Sequence, residues 1–156
     1  MSNEQERVIC AMSGGVDSSV AAKLLVDAGY DVMGVTMKLF DSDGVILEEG
    51  SRTCCSLEDV EDARAVAFGL GIPYQVFNYT DTFGTCVIDR FCQAYLEGHT
   101  PNPCIDCNRF LKFGALQQRR RELGFDYVAT GHYARRAYDE ETGRYLLLRG
   151  RDPKKD

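Results

Sequence analysis

The chain begins with three segments whose order limits the fold more than any other feature of the sequence. Residues 7–12 (RVICAM) form a short apolar run that is typical of a buried strand. Residues 17–29 follow with apolar side chains at helical spacing and stop at Gly29. A turn with two adjacent glycines, Gly14 and Gly15, joins the two segments. A strand that passes through such a turn into a helix is the building unit of parallel α/β sheets.

The rest of the chain repeats this alternation. Short apolar runs predict further strands, and apolar residues at helical spacing predict further helices. The predicted strands are 30–40, 72–79 and 125–134, and the predicted helices are 56–71, 85–98 and 109–124. The remaining segments are a loop at 41–53, a proline-broken turn at 99–108 and a β-hairpin with a Thr-Gly turn at 135–151. We therefore expect an α/β fold, a doubly wound and mostly parallel sheet with a C-terminal β-hairpin, which binds its ligand beyond the carboxyl ends of the strands.

Length and charge narrow the class of protein. With 156 residues, of which 44% are hydrophobic and 27% charged, the chain has the composition of one globular domain. No apolar run is long enough to cross a membrane, and the N-terminus lacks a secretory pattern, so we expect a cytoplasmic protein. Residues 1–103 carry 6 basic against 16 acidic side chains, whereas residues 104–156 carry 12 against 8. The second half can meet a polyanion, although charge alone favours the simpler interpretation of a solvated helix face.

Seven cysteines are many for a chain of this length. Without an export signal they do not predict a disulfide framework, which leaves metal binding, sulfur chemistry and burial. Cys10, Cys86 and Cys92 fall on apolar faces of predicted elements and are expected in the core. Cys104 and Cys107 lie three residues apart where a turn meets a helix, and this spacing allows a disulfide or a shared metal ion.

The turn after the first strand has the chemistry of an anion cradle. Its glycines let the backbone approach a phosphate closely, and the following helix adds the positive end of its dipole. Ser13, Ser18 and Ser19 add hydroxyl donors, and Asp17 in the first helical turn can cap the helix or hold Mg²⁺. The Gly-Lys-Ser/Thr ending of a Walker A motif is absent from the turn. Two adjacent glycines taken alone would favour a purely structural turn.

The full string SGGVDSS (13–19) resembles the PP-loop of the ATP pyrophosphatase superfamily, whose members cleave ATP between the α and β phosphates. Four further segments are similar to the bacterial tRNA-specific 2-thiouridylase family: GVTMKLF (34–40), CCSLEDVEDARAVAFGLGIPY (54–74), TPNPCIDCNRFLKFG (100–114) and ATGHYAR (129–135). The resemblance implies a Rossmann-like, adenine nucleotide alpha hydrolase-like domain at residues 1–134. It also implies that residues 135–156 form a hairpin and the start of a connection to central and β-barrel domains, so that we expect this chain to be an isolated catalytic domain.

The implied activity is ATP-dependent 2-thiolation of the wobble uridine of tRNA by a sulfurtransferase. In such a reaction the C2 oxygen of the base is adenylated with release of pyrophosphate, and a persulfide sulfur then displaces AMP. The implied ligands are ATP and Mg²⁺, and the implied partners are the tRNA anticodon loop and a persulfide sulfur donor protein, without a membrane. The family's second catalytic cysteine has no counterpart here, because no cysteine follows Cys107.

The ATP site of the family maps onto the turn and onto two strand ends. The residues implied to contact the nucleotide are Ala11, Met12, Ser13, Gly14, Gly15, Val16, Asp17, Ser18, Met37 and Gly131. Met37 would lie near the adenine, a side chain at Gly131 would crowd the nucleotide, and Asp17 is counted among the catalytic residues. His132 is expected either to contact a phosphate or carry a proton, or to be an ordinary hydrogen-bonded histidine at a strand end.

The cysteine motif maps onto the family's base-binding turn and its first catalytic cysteine. Asn102, Pro103 and Cys104 take the place of the turn, and Cys107 takes the place of the cysteine. A thiol where a loop enters a helix has a lowered pKa, and the alternative for Cys107 is a buried structural cysteine. The best-known form of the family has Asp where this chain has Cys104, which we count as a second candidate catalytic thiol. An iron–sulfur cluster would need further thiolates, for which Cys54 and Cys55 are candidates.

The second half of the chain carries the expected contacts with tRNA. Lys155 and Asp156 would belong to a tRNA-contacting stretch, and a basic helix would face the tRNA backbone through Lys112, Arg119, Arg120 and Arg121. Two alternatives remain open. One is another PP-loop enzyme that adenylates a small molecule, and the other is a non-catalytic module that binds a metal or a nucleotide.

Overall fold

A computed structural model of the chain describes residues 5–40 and 57–154. The strands are β1 (Arg7–Ala11), β2 (Asp31–Lys38), β3 (Tyr74–Asn78), β4 (Tyr127–Ala129), β5 (Ala134–Asp139) and β6 (Arg144–Arg149). The helices are α1 (Val16–Asp27), α2 (Leu57–Leu70), α3 (Thr80–Phe83), α4 (Asp89–Leu96), α5 (Pro103–Asp106) and α6 (Leu116–Glu122). Two π-helical segments, Gly84–Ile88 and Cys107–Ala115, join α3 to α4 and α5 to α6 without a break.

Four strands form a parallel sheet in the order β3-β2-β1-β4. In the register, Ile9 of β1 lies opposite Met33 of β2 and Val128 of β4. The chain moves outward from β1 to β2 and β3 and then returns to the other side of β1 to form β4, so a topological switch point lies between β1 and β4. Strands β5 and β6 pair antiparallel as a separate hairpin. The expected α/β fold with a parallel sheet and a C-terminal hairpin is thus confirmed.

The sheet separates two apolar clusters, because neighbouring side chains of a strand point to opposite faces. Ile9 belongs to a cluster with Met33, Val35, Leu111 and Leu116, which packs the sheet against the helical run from α5 to α6. On the other face the cluster contains Cys10, Met12, Ala22, Ala63 and Ala67, and it packs the sheet against α1 and α2. Small alanines on these helices let both approach the sheet closely. The two-sided arrangement leaves the carboxyl ends of the strands open between the layers.

Three predicted boundaries are wrong, and side-chain hydrogen bonds explain two of them. The helical run predicted from residue 85 begins at Thr80, whose amide and hydroxyl both donate to Asn78 Oδ1. The turn predicted to extend to residue 108 ends at Asn102, which caps α5, while Pro103 takes the first helical position. Strand β4 has three residues rather than ten, because the chain leaves the sheet at Thr130. The loop predicted at residues 41–53 and the helix start at Ser56 lie outside the described residues.

Two of the three cysteines expected in the core are not fully buried. Cys10 is buried, Cys86 is half-buried and Cys92 is exposed. The prediction for Cys92 was wrong because α4 turns this position toward solvent, while Val87 one turn earlier is buried against the sheet. Within the described ranges, none of the helices combines the length and the apolar character needed to cross a membrane.

Candidate functional site

The turn between β1 and α1 is held in shape by its own side chains. Ser18, which is buried, accepts a hydrogen bond from the Ser13 amide (3.2 Å) and donates one to the Gly15 carbonyl (3.1 Å). The Ser19 hydroxyl donates to the same carbonyl at 2.9 Å. Both hydroxyls were expected to serve an anion as donors, and in the structure they close the turn instead. The groups left for an anion are the first amides of α1, which have no partner inside the helix.

Gly14 is required by close packing as well as by conformation. Its φ of +74° lies in the left-handed region, and a Cβ atom built on it would lie 2.6 Å from the Asp59 carbonyl oxygen. Gly15 is different, because its φ is −81° and a Cβ would meet only Ser13 Oγ, at 3.6 Å. The first glycine thus lets α2 approach the turn, and the second leaves the surface of the turn open.

Two hydrogen-bonded hydroxyl groups, of the buried Thr36 and the half-buried Tyr74, fix the end of β1. The Thr36 hydroxyl, in β2, donates to the Met12 carbonyl at 2.8 Å. The Tyr74 hydroxyl lies 2.7 Å from Thr36 Oγ1 and 3.2 Å from the Val60 carbonyl. Because unpaired polar groups are costly in the interior, these contacts define where the strand stops and the turn begins.

A cavity of about 500 Å³ opens at the switch point of the sheet. This volume lies within the range of sites for small molecules and nucleotides, ~300–1,000 Å³. Three parts of the chain converge there: the turn after β1, the segment after β4 and the start of the α5–α6 run. The lining residues are Ala11, Met12, Ser13, Asp17, Ser18, Val35, Thr36, Met37, Leu39, Phe40, Phe83, Val87, Pro103, Cys104, Cys107, Lys112, Thr130, Gly131 and His132.

One side of the cavity is apolar and the other is polar. Met37 and Leu39 at the end of β2 form the apolar side together with Phe40, Phe83 and Val87. The sequence predicted Met37 but none of the last three, because their role depends on how the α3–α4 run packs over the strand ends. A flat aromatic group fits this side, while charged groups meet the polar side.

The segment after β4 presses against the start of α1. A Cβ atom on Gly131 would lie 2.8 Å from the Ser18 amide nitrogen, so glycine is needed to admit the α1 backbone, before any nucleotide is considered. The Tyr133 hydroxyl donates to Asp17 Oδ1 at 2.7 Å and ties the same two segments together. Close packing therefore places the positive end of α1 beside the carboxyl end of β4.

His132 is hydrogen-bonded and has a lowered pKa. Its Nδ1 lies 2.7 Å from the Thr130 hydroxyl, and its ring packs on Phe113 at 5.6 Å between centroids. Partial burial, followed by the positive charge of Lys112, lowers the pKa of His132 below its ordinary value of 6.5. The ring is therefore neutral at pH 7. His132 is thus hydrogen-bonded, as the second expectation had it, and it also lines the cavity. That it contacts a phosphate or carries a proton stays a prediction.

The α5–α6 run supplies the thiols. Asn102 Oδ1 accepts the Cys104 amide at 3.0 Å, and Pro103 occupies the first helical position. Cys107 was expected where a loop enters a helix, but the helix begins four residues earlier, so Cys107 lies in its second turn. The dipole effect at a helix N-terminus falls off within the first turn, so it applies to Cys104 rather than to Cys107. Cys107 nevertheless lines the cavity, as the sequence-based assignment required.

The cysteines of the described part of the chain are not joined to one another. Cys10, Cys86, Cys92, Cys104 and Cys107 are all thiols, and burial raises the pKa of the Cys10 thiol to about 11. In the described ranges, no group of three or more His, Cys, Asp or Glu side chains is arranged to hold a metal ion. Cys54 and Cys55, named as further cluster ligands, lie outside these ranges, as do Lys155 and Asp156.

Not every predicted site residue reaches the cavity. Gly14 and Gly15 contribute backbone to the turn, the Val16 side chain is 76% exposed, and Asn102 caps α5. The other predicted nucleotide and base contacts that the structure describes line one continuous space. Thr130 was missed, and the string ATGHYAR carried the only available signal for it.

The basic helix divides into residues with different roles. Arg120 donates to the Phe125 and Asp126 carbonyls at 2.6 and 2.7 Å and so fixes the end of α6. Arg119 pairs with Glu122 at 3.1 Å, and Arg121 is exposed. Lys112 instead lines the cavity. One surface formed by all four cations, as the sequence suggested, is therefore not what the helix presents.

The parallel sheet, the glycine turn at its switch point and the cavity beside it define a Rossmann-like domain of the PP-loop kind. Two solved structures share this fold. One is a predicted subunit of a tRNA methyltransferase from Methanocaldococcus jannaschii, with a TM-score of 0.51 and 22% identity over 81% of this chain and 52% of that chain. The other is a glutamine-dependent NAD+ synthetase from Acinetobacter baumannii in complex with ADP, with a TM-score of 0.54 and 21% identity over 81% of this chain and 22% of that chain. At these identities the likeness concerns the fold alone.

The sequence comparison identifies the family, which the fold alone does not. The family described as tRNA methyl transferase HUP domain matches residues 6–156, and the chain belongs to this family. Its relatives include the tRNA-specific 2-thiouridylase MnmA of Moorella thermoacetica, 62% identical over 146 residues, and that of Desulforamulus reducens, 55% identical over 152 residues. The matches cover 94% and 97% of this chain but 41% of each relative.

Proposed function

We propose that this chain is the ATP-using catalytic part of a tRNA-specific 2-thiouridylase, which activates C2 of a wobble uridine and exchanges its oxygen for sulfur. One observation carries the proposal. A single cavity is lined both by the glycine turn that suits an anion, represented by Ser13 and Ser18, and by the thiol of Cys107. An enzyme that only adenylates needs the first group, and one that only transfers sulfur needs the second. The relatives named as 2-thiouridylases support the combination.

In this proposal ATP spans the cavity from its apolar to its polar side. The adenine lies against Met37 and Leu39, and the phosphates meet the first amides of α1. The fixed shape of the turn matters here, because donors that are already oriented stabilise developing charge without reorganising. The Ser18 hydroxyl fixes the turn before those amides through its hydrogen bonds with the Ser13 amide and the Gly15 carbonyl. Gly131 lets the start of α1 lie against the segment after β4.

The residues present fit a magnesium ion bound together with the phosphates. Mg²⁺ is usually held by one or two carboxylates plus substrate oxygens. Among the described residues, Asp17 is the carboxylate that lines the cavity, and the Tyr133 hydroxyl orients it. A bound Mg²⁺ would neutralise charge on the phosphates and so favour departure of pyrophosphate. An iron–sulfur cluster fits less well, because Cys104 and Cys107 are two thiols and the described residues hold no third beside them.

The chemistry then proceeds in three balanced steps. The C2 oxygen of the uridine attacks the α-phosphorus, and the bond to pyrophosphate breaks. The terminal sulfur of a donor persulfide attacks C2, and AMP leaves with the former C2 oxygen. The Cys107 thiolate then attacks the inner sulfur, which releases the thiocarbonyl and leaves a disulfide that a thiol reductant must reopen. The second cysteine of this disulfide belongs to the persulfide carrier.

The base reaches the cavity past the start of α5. Pro103 and Cys104 line the rim, and Asn102 beside them keeps its side-chain amide group as a donor after accepting the Cys104 amide. A uridine in an anticodon loop is already unpaired, so turning it into such a pocket costs little. The exposed Arg121 and the C-terminal Lys155 and Asp156 are proposed contacts with the surrounding tRNA.

The test uses α-labelled ATP, a persulfide donor and the complete gene product, with and without tRNA, and separates AMP from ADP. We expect AMP that requires tRNA. ADP, or AMP formed equally without tRNA, would contradict the proposal and favour a PP-loop enzyme that adenylates a small molecule. Stoichiometric metal binding without ATP cleavage would favour a binding module instead.

A matched pair of variants separates the two halves of the reaction. Cys107→Ser should still form tRNA-dependent AMP but should lose formation of 2-thiouridine, measured by mass spectrometry of digested tRNA. Cys92→Ser is the control, because Cys92 is an exposed cysteine outside the cavity. It should keep both activities. Thiouridine formation at the wild-type rate by Cys107→Ser would remove Cys107 from the mechanism.

A further inference from the structure

Cys107 and Lys112 line the same cavity although they are five residues apart in one helical run. In an α-helix, five residues turn the chain through ~500°, which leaves the two side chains about 140° apart. Such a pair would lie on different faces of an α-helix. The arrangement therefore needs an explanation in the geometry of the helix.

The π-helical segment Cys107–Ala115 supplies that geometry. Its hydrogen bonds join residue i to residue i+5, so the side chains of residues five apart become near neighbours along the axis. Cys107 opens the segment, and Lys112 is the residue that its widened turn brings onto the same face. Leu111, one residue earlier, is fully buried in the core and anchors the segment in this register.

The other titratable side chains that line the cavity come from three other elements. Asp17 faces the cavity from α1, His132 from the segment after β4, and Cys104 from α5. The charge of Lys112 reaches across to His132, where it contributes to the lowered pKa. Since His132 is neutral at pH 7, Lys112 is the positively charged side chain among the cavity-lining residues of the described chain.

We propose that Lys112 is a positioning residue for Cys107: its ammonium group, brought onto the cysteine face by the π-helical turn, stabilises the Cys107 thiolate. The inference rests on the proposed function for its use in catalysis, because the thiolate is the form that attacks a disulfide sulfur. The helix start cannot supply this stabilisation, since Cys107 lies beyond the first turn. Lys112 supplies the positive charge near Cys107 that the N-terminus of α5 is too far away to supply.

The test measures how fast Cys107 reacts with iodoacetamide as a function of pH, in the complete gene product. Isotope-coded reagent and fragment mass spectrometry assign the label within the tryptic peptide that also contains Cys92 and Cys104. This peptide is 91–109 in wild type and 91–112 in the Arg109→Gln control. Lys112→Met should raise the midpoint for Cys107 by about one pH unit and slow its labelling at pH 7 by roughly three- to tenfold. Lys112→Arg, which keeps the charge, should stay near wild type.

Arg109→Gln is the matched control, because it removes a positive charge from the same π-helical segment at a side chain that does not line the cavity. It should leave the Cys107 midpoint unchanged. An unchanged midpoint in Lys112→Met, or an equal shift in Arg109→Gln, would overturn the proposal. Wild-type circular dichroism and an unchanged labelling rate at Cys92 would show that a shift in Lys112→Met does not come from unfolding.

The outcome is separable from that of the proposed function. The labelling profile needs neither ATP nor tRNA, so it can support Lys112 even if no tRNA-dependent AMP forms. Conversely, thiouridine formation with an unshifted Cys107 profile in Lys112→Met would keep the thiouridylase and reject the role of the lysine.

Discussion

The two walls of the cavity are built in different ways. The wall formed by the turn after β1 is backbone, held by hydrogen bonds within a few residues, such as those of Ser18 to Ser13 and Gly15. The wall that carries the thiols is one face of a helix, and its position depends on contacts at the two distant ends of the α5–α6 run. The comparison teaches that the wall formed by the glycine turn is specified locally, whereas the wall that carries the thiols is specified by where a helix starts, stops and widens.

The strongest test of the backbone-built wall is Gly14→Ala. A methyl group there meets the Asp59 carbonyl oxygen at 2.6 Å and forces an L-residue to a φ of +74°. We expect a loss of about 3 kcal/mol in the free energy of unfolding, from strain and clash together. Urea unfolding followed by far-UV circular dichroism measures it, since the chain has no Trp as a fluorescent probe.

Gly15→Ala is the matched control for this variant. Its φ of −81° suits any residue, and its nearest contact would be 3.6 Å away. The free energy of unfolding should stay within about 0.5 kcal/mol of wild type. Equal losses in the two variants would mean that the turn tolerates no side chain at all, and the packing of α2 against Gly14 would then not be the cause.

The far end of the thiol-bearing helix is tested by Arg120→Gln. This change removes charged donors to the Phe125 and Asp126 carbonyls, so we expect a loss of about 2 kcal/mol in the same assay. Arg121→Gln removes an equal charge from an exposed neighbour and should change stability by less than about 0.5 kcal/mol. If Arg121→Gln proved the more destabilising, the division of the basic helix would be wrong.

The start of the α5–α6 run is tested by Asn102→Ala, which deletes the side chain that caps the Cys104 amide. Loss of such a cap costs about 1 kcal/mol. Asn102→Asp keeps an accepting oxygen and should recover most of it. Hydrogen exchange at the Cys104 amide gives a local reading, and we expect faster exchange in the alanine variant alone. Unchanged exchange would show that α5 does not depend on Asn102.

The smallest expected effect is the pH dependence of the contribution that His132 makes to the free energy of unfolding. Burial and the charge of Lys112 lower the pKa of this imidazole in the folded state below its ordinary value of 6.5. The unfolded chain therefore takes up the proton first, so the stabilisation is complete above about pH 6.5 and is lost as the pH falls below it. The difference in unfolding free energy between wild type and His132→Gln should be constant above that pH and should change below it. A difference that stays constant down to pH 5 would contradict the lowered pKa.

The backbone-built wall was largely predictable from sequence. A strand, two glycines and a helix start are local signals, and they placed Ser13, Asp17 and Ser18 in the cavity. The serine hydroxyls could not be assigned in the same way, because whether a hydroxyl meets a ligand or closes its own turn depends on distances of tenths of an ångström. Gly131 was identified correctly as a position that excludes side chains, but the atoms that exclude them belong to α1.

The wall that carries the thiols shows why other features of the site could not be predicted from the sequence. The motif around Cys104 and Cys107 predicted two residues that line the cavity, but it put the helix start after them rather than before. The apolar side formed by Phe40, Phe83 and Val87 has no periodic signal, since its members come from separate segments that meet only in the folded chain.

By itself, the sequence determined the alternation of strands and helices, the parallel sheet, the glycine turn after β1 and the residue types that line the cavity. These follow from hydrophobic periodicity and glycine conformation, which act over a few residues. The tertiary structure alone decided that Lys112 and Cys107 line one cavity, because an i to i+5 register is a rare alternative that the packing of a whole helix selects. Local preferences fix which elements form, and only their packing fixes which side chains meet.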